Sequence, residues 1–136
     1  MNRKRFLLSF LVIFIVSQAY EAVVHGGILG PTYESLKHLW RADMNSLLWL
    51  MWVSGIVTTF LLTYIFVKGY EGKGWMEGVR FGLLFGLFTS IPMSLGTYFM
   101  IAIPFSLAAI WFVFGMLEMV ILGILLALIY KPRSTT

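Results

Sequence analysis

The stretch FSLAAIWFVFGMLEMVILGILLALIY, residues 105–130, decides the fold of this chain. Glu118 is the one charged residue within it. About 20 predominantly apolar residues suffice to cross the hydrocarbon core of a bilayer as a helix. The stretch is therefore predicted to be a membrane-spanning helix.

Glu118 lies near the middle of that predicted helix. An acidic side chain at such a depth costs roughly 2.5 to 3.5 kcal/mol on insertion scales, so it normally faces protein or water. Glu118 is therefore the first candidate for a proton or ligand site. The alternative is a protonated carboxyl that only bonds a neighbouring helix, a contact worth about 0.6 to 2 kcal/mol.

Three further apolar stretches precede this one. The chain is 60% hydrophobic and 12% charged, whereas soluble domains are about 25% charged. We predict an all-α, four-helix transmembrane bundle in the lipid bilayer, formed as one domain over residues 1–136. The predicted spans are 6–25, 46–67, 78–98 and 104–130, with an outer loop at 26–44 and a cytoplasmic loop at 68–77.

Basic residues predict the orientation of the bundle. Only Lys37 and Arg41 lie on one side, and the basic residues on the other side are Arg3, Lys4, Arg5, Lys68, Lys73, Arg80, Lys131 and Arg133. This asymmetry places both termini in the cytoplasm. The basic residues lie at the ends of apolar stretches and form no continuous basic face, so the net charge of +4 does not indicate nucleic-acid binding.

The first apolar stretch has two interpretations. Its basic start, apolar middle and the SQA sequence at 17–19 are typical of a secretory signal peptide cleaved after Ala19. Apolar residues resume at Ala22–Val24, however, which favours an uncleaved first helix.

The outer loop contains a short amphipathic pattern over residues 31–41. Its apolar side is formed by Tyr33, Leu36, Leu39 and Trp40, and its polar side by Glu34, Lys37, His38 and Arg41. This spacing predicts a helix that lies in the outer membrane interface. The alternative is a solvated loop, because three turns are marginal for an isolated helix.

A ridge of small residues runs along the third predicted span at four-residue spacing. Its members are Gly78, Gly82, Gly86, Ser90 and Ser94. Such a ridge lets another helix backbone approach closely in lipid. We favour packing within the bundle, and the alternative is a homodimer or another membrane-complex partner.

Polar residues of the first predicted span form a stripe. Ser17, Glu21 and His25 follow four-residue spacing and so share one helix face. Glu21 and His25 have the elements of a proton relay or part of a metal site. The alternative is that His25 marks the helix end in the headgroup region and draws Glu21 with it.

Helix rise predicts that polar residues of all four spans share one depth. At about 1.5 Å per residue, Gln18, Ser54, Ser90 and Glu118 lie roughly 18 to 20 Å above the inner helix ends, and Glu21 lies about 22 Å above. One mid-membrane polar layer is therefore expected. It would hold a shared proton, a bound cation or a basic ligand.

Several kinds of site are excluded by the sequence. There is no cysteine, so disulfides and thiolate metal ligands are absent. The glycines of the connection at 68–80 lack a phosphate-binding order, and no catalytic motif or complete metal motif is found. We therefore predict no catalytic residues and no metal centre, and the sequence names no cofactor.

Four segments together resemble small bacterial four-span membrane proteins of unknown function. They are KGYEGK at 68–73, EGVRFGLLFG at 77–86, PMSLGTY at 92–98 and IPFSLA at 103–108. The resemblance implies a bacterial inner membrane and the same four-span topology. It implies no reaction and assigns no functional residue.

Two functional classes follow from these observations. The first is a membrane protein that binds or transports a small molecule, ion or proton at a polar site around Glu118, with Glu21 and His25 on its outer side. The second is a structural or accessory subunit of a larger complex, docked through the small-residue ridge. An enzyme ranks third, because few side chains can titrate.

Overall fold

The computed structural model describes residues 1–132. Arg133, which was counted above among the cytoplasmic basic residues, lies outside the described residues. Within 1–132 the chain forms helices and no strands. The α-helices are α1 (Arg3–Glu21), α2 (Gly30–Ser35), α3 (Leu48–Lys68), α4 (Trp75–Met100) and α5 (Phe105–Ile129).

Three shorter helical segments join these helices. A π-helix over Ala22–Ile28 continues α1, and 3₁₀ turns cover Lys37–Leu39 and Met44–Leu47. Four helices are long and apolar enough to cross a membrane: Arg3–Ile28, Met44–Lys68, Trp75–Met100 and Phe105–Ile129. The all-α class and the number of apolar helices predicted from sequence are confirmed.

The helix bounds differ from the predicted spans by up to three residues, at both the inner and the outer ends. The first helix continues to Ile28, through residues that were predicted to begin the outer loop. This extension, which includes Gly26 and Gly27, is π-helical, as seen in the 2.8 Å hydrogen bond from the Leu29 N–H to the Val24 carbonyl. The third of the four long helices, α4, runs without interruption through Pro92.

The helices are arranged in the order α4, α5, α1, α3. The closest pair is α4 and α5, and α1 packs against both α5 and α3. On the α1 and α3 side the contacts are aromatic, as between Phe6 and Phe60, whose ring centres are 5.4 Å apart. The two described ends meet, because the Asn2 side chain donates a 3.2 Å hydrogen bond to the Lys131 carbonyl.

Glycines bring α4 and α5 into backbone contact. All five members of the small-residue ridge are buried, and the ridge faces α5. A methyl group added at Gly82 would lie 2.5 Å from the Met119 carbonyl oxygen and 2.5 Å from the Val120 Cα, and Gly78 similarly faces Gly123. Atoms cannot approach that closely, so only glycine allows this helix separation.

Two apolar clusters lie at opposite ends of the bundle. The inner cluster consists of Phe6, Ile13, Leu62, Phe66, Val67, Leu122, Leu126, Ala127 and Tyr130. The outer cluster consists of Val24, Leu29, Ile103, Leu107 and Ala108. Along α1, Ser17 and Gln18 lie between Ile13 of the inner cluster and Val24 of the outer cluster, and along α5 Glu118 lies between Ala108 and Leu122.

The outer segment over residues 31–41 is not one continuous helix. It is interrupted at Leu36, where φ is −104° and ψ is 14°. The predicted sidedness is nevertheless present, because the apolar side chains pack against the outer cluster and the polar ones are exposed. The segment thus covers protein with its apolar side.

Glu77 holds the connection between α3 and α4. Its carboxylate accepts hydrogen bonds from the backbone N–H groups of Glu71 at 2.6 Å and Lys73 at 2.8 Å. Gly72 and Gly74 have φ values of 76° and 73° in this loop, a left-handed conformation that glycine adopts at no steric cost. The short connection is therefore ordered by one buried carboxylate.

Candidate functional site

Glu118 is buried at the middle of α5 and bonded to α1. Only 7% of its surface is exposed, and the Ser17 hydroxyl donates a 2.7 Å hydrogen bond to its Oε1 atom. Ser17 is itself 8% exposed. The Glu118 carboxyl is thus hydrogen-bonded to a residue that lies 101 positions earlier in the sequence.

Ser17 was not included in the predicted polar layer. It was found instead as a member of the stripe with Glu21 and His25. In the structure the buried face of α1 carries Ser9, Ile13 and Ser17 at four-residue spacing. The four-residue stripe therefore marked Ser17 as part of a polar face, but it did not pair Ser17 with Glu118.

Two clefts border Glu118 on opposite sides. The first, which we name the aromatic cleft, lies between α1, α4 and α5 and has a volume of about 200 Å³. Its lining comprises Tyr20, Glu21, His25, Thr89, Ser90, Met93, Trp111, Phe114, Gly115, Glu118 and Met119. Tyr20, Trp111 and Phe114 therefore border the same space as Glu21 and Glu118.

The second cleft lies between α1, α3 and α5, and we name it the hydroxyl cleft. Its volume is also about 200 Å³. Its lining comprises Ser17, Gln18, Glu21, Met51, Ser54, Gly55, Thr58, Thr59, Leu62, Glu118, Met119 and Leu122. Glu21 and Glu118 line both clefts, so the two carboxyl groups stand at the boundary between them.

The structure divides the predicted polar layer between the two clefts. Ser90 lines the aromatic cleft, whereas Gln18 and Ser54 line the hydroxyl cleft. The sequence predicted one continuous layer, because depth along a helix says nothing about the direction in which a side chain points. Glu21 and Glu118 are the members that connect the two parts.

Close packing fixes the positions of Ser90 and Gln18. A methyl group added at Gly115 would lie 2.6 Å from the Ser90 Oγ, and one added at Gly55 would lie 2.7 Å from the Gln18 Nε2. Each polar side chain therefore occupies space that a glycine on the facing helix leaves open. Glycine thus positions polar groups at the site as well as joining α4 to α5.

Glu21 and His25 form a pair at the outer end of the aromatic cleft. The His25 Nε2 lies 3.3 Å from the Glu21 Oε2, and the His25 Nδ1 is hydrogen-bonded to the Tyr33 hydroxyl. The Tyr33 and His25 rings are stacked, with an interplanar angle of 8°. The outer segment therefore reaches into the site through Tyr33.

Trp111 determines the direction of these hydrogen bonds. Its indole N–H donates to the Tyr33 hydroxyl oxygen at 2.7 Å, and an indole nitrogen can only donate. The Tyr33 O–H is then available to donate to the His25 Nδ1, which leaves the Nε2–H to donate to Glu21. A neutral His25 satisfies every member of this chain.

The Tyr33 hydroxyl keeps its proton under ordinary conditions. Burial raises the pKa of Tyr33 above its usual value of 10.0, and the nearby Glu21 carboxyl raises this pKa further, against the lowering effect of the Trp111 hydrogen bond. Tyr33 therefore remains a donor to His25 at neutral pH. The sequence placed Tyr33 on the apolar side of the outer segment but did not identify it as a site residue.

Tyr20 is a further site residue that the sequence did not identify. It lines the aromatic cleft, and its hydroxyl donates a 2.8 Å hydrogen bond to the Phe114 carbonyl. This bond joins α1 to α5 beside Glu118. No spacing or motif singles out Tyr20 from the other aromatic residues of the chain.

The two clefts share a pattern of charged residues. Neither lining includes Lys or Arg, whereas both include Glu21 and Glu118. Within residues 1–132 no three His, Asp or Glu side chains are grouped closely enough to hold a metal ion, so Glu21 and His25 remain a pair.

Comparisons with family models, curated proteins and solved structures found no match to this chain.

Proposed function

We propose that this protein is an integral membrane protein that binds or transports a proton or a small cation at the site around Glu118. The observation that carries the proposal is the position of Glu118 and Glu21 at the boundary of two clefts that contain no Lys or Arg. A buried acid within a membrane helix is a candidate functional group by default. A second carboxyl beside the same two clefts strengthens that argument.

We further propose that both termini are cytoplasmic and that the membrane is the inner membrane of a bacterium. Four crossings leave both ends on one side, and the bond between Asn2 and Lys131 agrees with this. The excess of basic residues at that side supports the cytoplasmic assignment. The outer segment over residues 31–41 would then lie at the outer membrane interface.

Two other roles receive less support from the geometry. A purely structural Glu118 would need only the Ser17 bond and does not account for the clefts on either side. An accessory subunit was expected to dock through the small-residue ridge, yet the ridge packs against α5. Docking to another protein would therefore need a different surface.

Reconstituted protein tests the role of Glu118. Proteoliposomes that contain a pH-sensitive dye receive a pH gradient and then a pulse of Na⁺, K⁺ or an organic cation. We expect the wild-type protein to change the internal pH and Glu118→Gln to behave like protein-free liposomes. The substitution removes the ionisable group but keeps the size of the side chain and an oxygen that can accept the Ser17 bond.

The matched control is Glu34→Gln, the same substitution at an exposed carboxylate of the outer segment. It should leave the flux unchanged. Gel filtration and helical circular dichroism should show that both variants fold. Flux in Glu118→Gln equal to that of the wild type would remove Glu118 from the mechanism.

A further inference from the structure

The aromatic cleft combines aromatic rings with carboxyl groups in one small space. We propose that this cleft binds a small organic ammonium ion, with the charged nitrogen held between Glu118 and the rings of Tyr20, Trp111 and Phe114. The inference rests on the proposed function of Glu118 and names the class of ligand.

Aromatic rings and carboxylates recognise an ammonium ion in complementary ways. The face of Trp, Tyr or Phe attracts a cation within about 6 Å of the ring centre, and this attraction is strongest when the cation is desolvated. Residues of all three types line the cleft. A quaternary ammonium ion donates no conventional hydrogen bond, so ring faces and a carboxylate can replace its hydration shell.

Glu118 is the carboxyl that is available for such a guest. Glu118 is 7% exposed, whereas the Glu21 side chain is 39% exposed and can be solvated. A charged group buried in a membrane is stabilised by a counter-ion. An ammonium ion in the aromatic cleft would supply that counter-ion.

The other cleft has a different chemistry. Hydroxyl and amide groups from Ser17, Gln18, Ser54, Thr58 and Thr59 line the hydroxyl cleft, which contains no aromatic ring. Oxygen ligands suit water and inorganic cations such as Na⁺ or Mg²⁺. The contrast between the two linings assigns the organic cation to the aromatic cleft.

The volume of the aromatic cleft limits the size of the guest. Pockets for drug-sized ligands span roughly 300 to 1,000 Å³, and this cleft has about 200 Å³. The guest is therefore expected to be a small alkylammonium ion such as choline. Larger lipophilic cations should bind more weakly, because Met93 and Met119 also occupy the lining.

Titration calorimetry with choline tests the inference on the full-length protein in detergent. The neutral control ligand is 3,3-dimethyl-1-butanol (dimethylbutanol below), in which a carbon atom replaces the ammonium nitrogen of choline. We expect choline to bind and dimethylbutanol not to bind. Glu118→Gln should abolish binding, and Phe114→Leu should weaken it about 3-fold to 10-fold, because leucine fills similar space without a ring.

Phe112→Leu is the matched control, since Phe112 lies on the same helix and is absent from the cleft lining. Its affinity for choline should equal that of the wild type. No choline binding, equal binding of dimethylbutanol, or equal effects of Phe112→Leu and Phe114→Leu would overturn the inference. If Glu118→Gln still abolishes proton flux in that case, the proposed function stands without this ligand class.

Discussion

The pair α4 and α5 differs sharply from the packing of α1 against its neighbours. Between α4 and α5, glycines on both helices place backbone against backbone. Around α1 the contacts are made by large aromatic rings and by hydroxyl and carboxyl groups. Both clefts border α1, and both are also lined by α5.

This difference means that the α4 and α5 pair is held by close packing, whereas the polar groups of the candidate site lie where α5 faces α1. In lipid the hydrophobic effect does not drive helices together, so close association depends on small residues that increase van der Waals contact. The α4 and α5 pair meets that requirement along most of its length. The side of α5 that faces α1 instead carries Glu118 and borders both clefts.

The largest effect is expected from a methyl group inside the tight pair. Gly82→Ala places a Cβ 2.5 Å from backbone atoms of Met119 and Val120. Backbone cannot rotate away, so the two helices must separate, and we expect a loss of about 1 to 3 kcal/mol in the free energy of unfolding. Unfolding in mixed detergent micelles measures this loss.

Gly96→Ala is the matched control on the same helix. A methyl group there would meet nothing within 4 Å, and alanine favours a helix over glycine by about 0.5 to 1 kcal/mol. The control should therefore be neutral or slightly stabilising. Equal losses in the two variants would mean that the α4 and α5 contact is not as close as described.

An intermediate effect is expected where the tight pair meets the aromatic cleft. Gly115→Ala brings a Cβ to 2.6 Å from the Ser90 Oγ, a side-chain atom that can move to another rotamer. We expect a loss of about 1 to 1.5 kcal/mol in the free energy of unfolding. Ser90→Gly should recover most of this loss in the double variant, measured as a double-mutant cycle. Strictly additive effects would contradict the contact.

The smallest effect is expected in the outer segment. Tyr33→Phe keeps the ring stacked on His25 but removes the hydroxyl that bonds both His25 and Trp111. The expected loss is about 0.5 to 1 kcal/mol in the free energy of unfolding, since water can reach the half-buried position. Thermal unfolding in detergent at neutral pH gives the value.

The difference in stability between the wild type and Tyr33→Phe should depend on pH. Burial raises the pKa of Tyr33 above 10.0 in the folded chain, so the folded state holds the proton more tightly than the unfolded state. The stabilisation by this hydroxyl is therefore complete below pH 10.0 and declines as the pH rises through the higher folded value. The stability advantage of the wild type over Tyr33→Phe should shrink in that range, and a constant difference would contradict the burial of the hydroxyl.

Much of the fold was predictable from the sequence because its signals are local. Length and apolar composition are properties of continuous segments, and they identified four helices long enough to cross a membrane. The small-residue ridge is likewise a property of one helix, and its members are all buried. The interruption at Leu36 was not predictable, because it depends on how the outer segment packs against the outer cluster.

The candidate site was predictable only in its centre. The cost of burying a carboxyl identified Glu118 without any structural information. The assignment of Ser17 as its partner depends on how α1 is rotated against α5. Apolar residues surround these helices on lipid and protein sides alike, so sequence periodicity carries little information about rotation. For the same reason the division of the polar layer into two clefts could not be foreseen.

The bond between Ser17 and Glu118 has a consequence for biosynthesis. Glu118 follows Ser17 by 101 residues in the sequence, so the bond can form only after α5 has been synthesised. Until α5 is inserted, the polar face of α1 has no carboxyl to bond and the inner apolar cluster lacks its α5 members. A chain that stops before α5 therefore lacks the polar site and leaves the Ser17 hydroxyl without its carboxyl partner.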